Sequence, residues 1–240
     1  ALARAGHWYP PVPTFAGASV GGVVATNAAG AATFKHGTTR GWVEALTVVL
    51  PDGDVLDIER GATRAHRDGY FELVLTRGTV RVPVPSYRMP SLVKLSAGYF
   101  AAAGMDLIDL FIGAEGTLGV VTSATLRVLP GRPAQCLLLV PCAHAAAALG
   151  LVGELRRLAQ QTWASRDAHG LDVSAIEHMD ARSLQIVRED RPHGIQLPAP
   201  FDGAELALLV TLDLPAGTSA APSASPRVAG TRATHRSSST

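Results

Sequence analysis

Cysteine is nearly absent from this 240-residue chain, which contains only Cys136 and Cys142. The two do not form a CxxC pair, so neither a disulfide framework nor a zinc site is indicated, and a reducing compartment is expected. An excess of charge of either sign is absent as well, because 21 basic side chains stand against 20 acidic ones. Nothing in this balance would drive binding to a phosphate backbone, which argues against nucleic acid as a partner.

Long apolar runs are also lacking. No run approaches the roughly 20 residues that a membrane-spanning helix needs, and the N-terminus has no segment like that of a secretory signal. We therefore expect no membrane span and a cytoplasmic protein. The eight histidines show no HxH or HExxH spacing, so no metal site is expected. With 47% hydrophobic and 17% charged residues, the composition is that of a globular protein with one good core or two small ones.

The first 130 residues contain two clear sheet signals. Residues 43–60 place β-branched runs on either side of Asp52-Gly53, which predicts strand, turn and strand. Residues 120–130 alternate in the manner of another strand. We expect the hairpin and this last strand to share one mixed sheet.

Two short helices are expected in the same region. Residues 17–30 combine small residues with valine, which predicts a glycine-rich turn and a helix in the second half of the segment. Residues 106–112 predict a helix with Asp106 as N-cap and Gly113 after its end. As a catalytic pair, Asp106 and Asp109 are less favoured than as a cap and a solvated face. The arginines from 64 to 88 are interpreted as the solvated side of an inserted hairpin.

A second α/β layer is expected after Pro130. Its pattern predicts a strand at 136–141, helices at 143–161 and 174–189, and a strand at 205–214. The residues after Leu214 contain no Leu, Ile, Phe, Met, Trp or acidic side chain, so this tail is expected to be mobile and of low complexity. The resulting domain boundaries are 1–130, 131–214 and 215–240.

The segment from Pro13 to Gly30 is the first candidate binding element. Small residues let main-chain N–H groups approach an anion closely, and a helix N-terminus adds partial positive charge, so such a segment can hold a diphosphate. The spacing fits neither GxGxxG nor the Walker pattern, which excludes a Rossmann or P-loop assignment. A tight turn packed under a helix explains the same residues and stays open.

The second candidate is the segment from Ile112 to Val121, in which three glycines fall within seven residues. Such spacing is typical of main chain pressed against a ligand. The alternative is that these glycines only end a helix and form a loop, which on the segment alone is the better interpretation.

Taken together, the segments resemble a known family. The pattern consists of SVGG at 19–22, TNAAG at 26–30, KHG at 35–37, the VEALTVVLPDGDVL hairpin, Lys94 with Gly98-Tyr99, and DLFIGAEGTLGVVTSATLRVLP. It resembles the second half of a PCMH-type FAD-binding domain, in the FAD-linked oxidases and dehydrogenases of the vanillyl-alcohol-oxidase type. Within that family it is similar to the D-lactate dehydrogenase and glycolate oxidase group. The EHMD sequence at 177–180 resembles an element at the start of that family's substrate, or cap, domain.

The resemblance implies an α+β fold: the second half of the FAD-binding domain, followed by the start of an α/β cap domain. FAD is the implied cofactor, held largely through main chain near Glu115. The implied partners are a small-molecule substrate and an electron-acceptor protein. The implied cofactor-binding residues are Pro13, Thr14, Phe15, Ala16, Gly17, Ala18, Ser19, Gly21, Gly22, Thr26, Asn27, Ala28, Ala29, Glu115, Gly116, Thr117, Leu118, Gly119, Val120 and Val121.

The sequence departs from the family pattern in several respects. The R-G-x-G-T-S diphosphate loop that opens the family's FAD domain has no counterpart here, and its catalytic and metal-binding histidines belong to a region beyond this length. We therefore expect a fragment and assign no catalytic residue. Ala114 and His36 stand where the family often has Ser and Tyr, which should alter packing more than binding.

The family's activity is oxidation of an alcohol, typically the α C–H of a 2-hydroxy acid, by hydride transfer to the flavin. Two alternatives stay open at this point. One is a non-catalytic FAD-binding subunit or degenerate copy, and the other is a remnant that does not fold stably.

Overall fold

The chain divides into two compact units, and the boundary between them lies between Arg132 and Pro133 in the sequence. The structure is a computed structural model, which describes residues 2–11, 13, 15, 17–190, 201 and 203–218. Of the tail 215–240 that is expected to be mobile, residues 219–240 lie outside the described residues.

The first unit contains an antiparallel sheet of three strands, β2 (Val43–Val49), β3 (Val55–Glu59) and β6 (Val120–Leu126). Their order in the sheet is β3-β2-β6. The hairpin predicted around Asp52-Gly53 is confirmed, and the strand predicted after Gly119 lies in the same sheet. The expectation of a mixed sheet is wrong, because both neighbours of the central strand run antiparallel to it. The central strand is β2, which pairs with β3 on one side and with β6 on the other.

The core of this unit lies between the sheet and the short helix α3 (Leu107–Phe111). Strand β2 contributes Val43, Leu46 and Val48, each at most 2% exposed. All five residues of α3 are buried. Complete burial of one such aliphatic side chain contributes about 1.5–3 kcal/mol. This burial, rather than helix propensity, therefore stabilises a helix of little more than one turn.

Helix α1 (Val20–Ala25) begins at Ser19, whose side chain accepts a hydrogen bond from the Gly22 N–H at 3.1 Å. The prediction of a helix in the second half of 17–30 is wrong, because the helix occupies the middle of the segment. It stops at Thr26, and Asn27 then adopts a left-handed conformation with φ of +46°. With only six residues, α1 has too few aligned peptides for a strong N-terminal dipole.

Asp106 is the N-cap residue of α3, as predicted, but its side chain forms no capping hydrogen bond. Its Oδ2 instead accepts a hydrogen bond from the N–H of Gly61, which follows β3. Asp109 does not lie on a solvated face, as was expected, because it is buried. Both carboxylates thus belong to the interior of the unit.

The remaining elements of the first unit surround this core. A hairpin, β4 (Tyr70–Leu75) and β5 (Gly78–Pro83), buries Phe71 and leaves Val74 82% exposed. The arginines from 64 to 88 are exposed, which confirms them as solvated side chains of this region. The shorter elements are β1 (His7–Trp8), which pairs with β7 (Leu129–Pro130), and α2 (Thr33–His36).

The second unit is an antiparallel sheet with order β8-β10-β9, accompanied by two helices. The predicted helix at 174–189 is wrong in its first half, where a strand forms. That strand pairs with β10, and Asp180 then accepts the Ser183 N–H at 2.7 Å as the chain turns into a helix. The elements are β8 (Gln135–Cys142), α4 (Ala145–Ser165), β9 (Val173–Asp180), α5 (Ala181–Asp190) and β10 (Leu206–Asp213).

Candidate functional site

The two candidate segments lie side by side in the first unit. The Gly113 N–H donates to the Val24 carbonyl at 3.1 Å, and the Glu115 N–H donates to the Ala25 carbonyl at 2.9 Å. Farther along, a Cβ at Gly21 would lie 3.6 Å from the Val121 carbonyl oxygen. Residues almost 100 positions apart therefore form one continuous main-chain surface.

Most of the residues implied as cofactor contacts are exposed or half-buried. Thr14 and Ala16 lie outside the described residues. Asn27 is buried, and the exposed members are Phe15, Gly17, Ala18, Ser19, Gly22, Thr26, Glu115, Gly116, Thr117 and Val120. The half-buried members are Pro13, Gly21, Ala28, Ala29, Leu118, Gly119 and Val121.

The loop after α3 has an unusual backbone. Gly113, Glu115 and Gly116 have φ values of +88°, +52° and +78°. Glu115 is one of few residues with a side chain in the left-handed region, which is sparsely populated except by glycine. A positive φ at a residue with a side chain costs free energy, so the hydrogen bond from the Glu115 N–H to Ala25 helps to hold this conformation.

Glycine is favoured at positions 116 and 119 for two different structural reasons. A Cβ at Gly116 would meet nothing within 4 Å, so this glycine is required by its positive φ. A Cβ at Gly119 would lie 2.7 Å from Val48 Cγ1 and 2.8 Å from the Val49 carbonyl oxygen. Gly119 is thus explained by its packing on β2, without any ligand.

Arg40 joins the two halves of the surface. Its Nη2 donates to the Ile112 carbonyl at 2.6 Å, and its Nη1 donates to the main-chain oxygen of Asp109. Its guanidinium carbon lies 4.4 Å from the centre of the Phe100 ring. The Arg40 N–H also donates to Asn27 Oδ1 at 2.9 Å. One residue therefore connects the turn after α1 to the loop after α3.

Asp109 offsets part of the positive charge of Arg40 and Arg60. Its Oδ1 lies 3.4 Å from Nη1 of Arg40 and 3.3 Å from Nη1 of Arg60, and only 12% of its side chain is exposed. Burial lowers the pKa of Arg40, and the charge of Asp109 opposes that shift. An arginine keeps its proton in any case, so the cluster carries two positive charges and one negative charge.

Sequence reasoning missed Arg40, Arg60 and Asp109 as a group. Arg40 and Asp109 are 69 positions apart, and no spacing rule links them. The available signal was the single carboxylate in the otherwise apolar run LIDLF, which is compatible with burial only when a partner is present.

A cavity of about 200 Å³ adjoins this cluster. Asn27, Thr38, Arg40 and Gly113 line one side, and residues of the stretch 89–100 line the other. At the end of that stretch, the Tyr99 hydroxyl lies 2.8 Å from Thr117 Oγ1, which donates to the Ala114 carbonyl at 2.5 Å. The loop after α3 is thus held from two directions.

The described part of the chain has few features typical of other kinds of site. Cys136 and Cys142 are free thiols. No group of three or more His, Cys, Asp or Glu side chains there is arranged to hold a metal ion. Helices long and apolar enough to cross a membrane were not found among the described residues.

Comparison with known proteins identifies the class. Residues 1–59 match a family model described as an FAD binding domain. The chain is therefore related to the FAD-linked oxidoreductases with a PCMH-type FAD-binding domain, and its cofactor is FAD. Both the resemblance and the cofactor expected from the sequence are confirmed.

The curated relatives are dehydrogenases of hydroxy acids. A D-lactate dehydrogenase of Anaerostipes hadrus is 36% identical over 138 residues, covering 58% of this chain and 22% of the relative. A D-lactate dehydrogenase of Archaeoglobus fulgidus is 29% identical over 221 residues, covering 88% and 39%. A mitochondrial D-2-hydroxyglutarate dehydrogenase of Bos taurus is 32% identical over 169 residues, covering 70% and 23%. The chain thus spans between about a fifth and two fifths of these relatives' lengths.

Similarity to solved structures concerns the fold alone. An alkyldihydroxyacetonephosphate synthase matches with a TM-score of 0.52 at 18% identity, covering 90% of this chain and 32% of the other. A second crystal form of that enzyme gives a TM-score of 0.53.

Proposed function

We propose that the first unit supplies one wall of an FAD site in a dehydrogenase that oxidises a 2-hydroxy acid. The observation that carries this proposal is the union of the two candidate segments, which hydrogen bonds join through Gly113 and Glu115. Neither segment is specific by itself. Together they form an exposed main-chain surface with few charged side chains, which suits a large cofactor with a diphosphate and polar rings.

Within this wall, the cofactor contacts are the residues 13–19, 21, 22, 26–29 and 115–121 named from the sequence. Gly116 and Glu115 have positive φ values and are exposed where the loop turns. Gly119 also supports the wall from β2, because its packing on Val48 leaves no room for a side chain. Arg40 and Thr117 position the loop, through Ile112 and Tyr99 respectively.

The domain assignment follows the same proposal. Residues 1–130 form the second half of the FAD-binding domain, 131–214 begin the cap domain and 215–240 are a tail. The division of the chain next to Arg132 supports the first boundary. An electron-acceptor protein completes the proposed set of partners, and a cytoplasmic location stays an expectation.

When bound, FAD supplies the acceptor for the hydride that leaves the alcohol carbon, while the hydroxyl proton is lost to a base. This chain's contribution is orientation. The loop after α3 is fixed by Arg40 and by the Tyr99–Thr117 contact before any ligand arrives, so little ordering is needed on binding. We assign no catalytic base.

FAD binding is tested by titrating the 240-residue chain into FAD and following flavin fluorescence. Gly116→Ala should weaken binding at least about fivefold, because alanine disfavours the positive φ and its Cβ projects from the wall. Gly69→Ala is the matched control, since Gly69 also has a positive φ, +82°, and open space around it. Equal FAD affinity in the two variants would contradict the assigned wall.

The substrate class is tested separately, by mixing FAD-loaded protein with D-lactate or D-2-hydroxyglutarate without oxygen. We expect one of them to bleach the visible flavin absorbance. FAD binding with no bleaching by either acid would refute the proposed oxidation while leaving the cofactor site intact.

A further inference from the structure

An apolar cavity of about 310 Å³ lies in the first unit, and apart from Leu118 its lining residues lie outside the proposed FAD wall. It opens between the hairpin β4–β5 on one side and α3 with the tip of β2 on the other. The alternation of the hairpin supports this, because Val74 is 82% exposed while Leu73 and Leu75 face the cavity. The apolar side chains of its lining include Leu50, Leu73, Val80, Leu110, Phe111 and Leu118.

The mouth of the cavity is bridged by polar contacts between two hairpin tips. Arg77 Nη1 lies 2.6 Å from Asp52 Oδ2. The Thr76 N–H donates to both carboxylate oxygens of Asp54 at 3.2 Å, and the Thr76 hydroxyl donates to Asp54 Oδ1. We call these four residues, Asp52, Asp54, Thr76 and Arg77, the clasp.

The clasp restricts the chemistry of an occupant. Arg77 and Asp52 already neutralise each other, and Asp54 is engaged by Thr76. An ionic ligand would therefore have to break one of these contacts and bring a charge beside an apolar wall, which is unfavourable. A neutral molecule meets no such barrier.

The volume of the cavity limits the size of the molecule that it can hold. One turn of an α-helix, about 10 Å wide and 5.4 Å long, fills roughly 400 Å³, which exceeds the cavity. A cavity of about 150 Å³ lined by Leu, Ile and Phe is enough to bind benzene. The space here is about twice that, which suits two or three fused or linked rings or a medium aliphatic chain.

We propose that this cavity is a binding site for one small, neutral, apolar molecule of aromatic or aliphatic character. An apolar void leaves its lining without contacts on one side, and such an occupant restores them. Binding here does not depend on FAD, so its test and that of the cofactor wall are independent.

The experiment titrates the 240-residue chain with N-phenyl-1-naphthylamine, a neutral probe that fluoresces in apolar surroundings. We expect saturable enhancement with one probe per chain, reversed by excess naphthalene. Val80→Phe, which fills the cavity from the hairpin, should raise the Kd at least about tenfold. Val74→Phe makes the same chemical change on the exposed face of the hairpin and should leave the Kd within about twofold.

Three results would overturn the proposal. One is the absence of saturable enhancement in the unchanged protein, and the second is enhancement that naphthalene does not reverse. The third is an equal Kd in Val80→Phe and Val74→Phe when circular dichroism and thermal unfolding show both variants folded. Should Val80→Phe fail to fold, Leu73→Phe fills the same space from the neighbouring strand, and naphthalene competition still tests the site.

Discussion

Replacement of Arg40 by methionine should destabilise the first unit and loosen the loop after α3. The change removes hydrogen bonds to the Ile112 carbonyl and to Asp109, and the stacking of the guanidinium on Phe100. A hydrogen bond to a charged group contributes about 1.5–3 kcal/mol, and a cation–π contact about 0.5–2 kcal/mol. Asp109 keeps Arg60, and methionine recovers some apolar contact. We therefore expect a net loss of about 2–4 kcal/mol in the free energy of unfolding.

Urea unfolding of the 240-residue chain, followed by tryptophan fluorescence, measures this loss. Arg127→Met is the matched control, because Arg127 also stacks on an aromatic ring, that of Trp42, but has an exposed side chain. Its loss should stay below about 1 kcal/mol. Arg40→Met with Asp109→Leu should recover part of the stability, since a buried carboxylate that has lost one of its two arginine partners is then removed. A loss for Arg40→Met no larger than that of the control would refute the inferred role of Arg40.

Two further predictions concern packing and pH. Gly119→Ala should lower the free energy of unfolding by about 1–3 kcal/mol even without FAD, because its Cβ would overlap Val48 and the Val49 carbonyl; unchanged urea unfolding would contradict this. The pKa of Asp180 is lowered from 3.8, first by the hydrogen bond from the Ser183 N–H. Its contribution to stability should thus be present above pH 3.8 and be lost as pH falls through the lower folded value. Carboxyl-carbon NMR titration measures that pKa, and a value at or above 3.8 would disprove the effect.

Local chemistry explains what could be predicted from the sequence. The hairpin at Asp52-Gly53 was predictable because turn residues and the flanking β-branched runs act within about ten residues. The strand after Gly119 was predictable from its alternation. The family motifs predicted FAD for the same reason, since the residues within each motif are contiguous.

What could not be predicted depends on distant partners. The stretch 174–189 has helix-compatible residues throughout, yet residues 173–180 form a strand that pairs with β10. Paired residues in the middle of these two strands are more than 30 positions apart in the chain. The carboxylate of Asp109 gave no hint of Arg40, and the packing of Gly119 on Val48 depends on a strand about 70 positions earlier. In each case the deciding contact is formed only in the folded unit.

Leu118 belongs to two surfaces at once. It lies in the segment 115–121 of the proposed cofactor wall, and it also lines the apolar cavity. In evolutionary terms, a mutation at this position meets two selective demands, whereas a mutation at Val120, which is 64% exposed, meets one at most. Position 118 should therefore accept fewer residue types than position 120 among related chains.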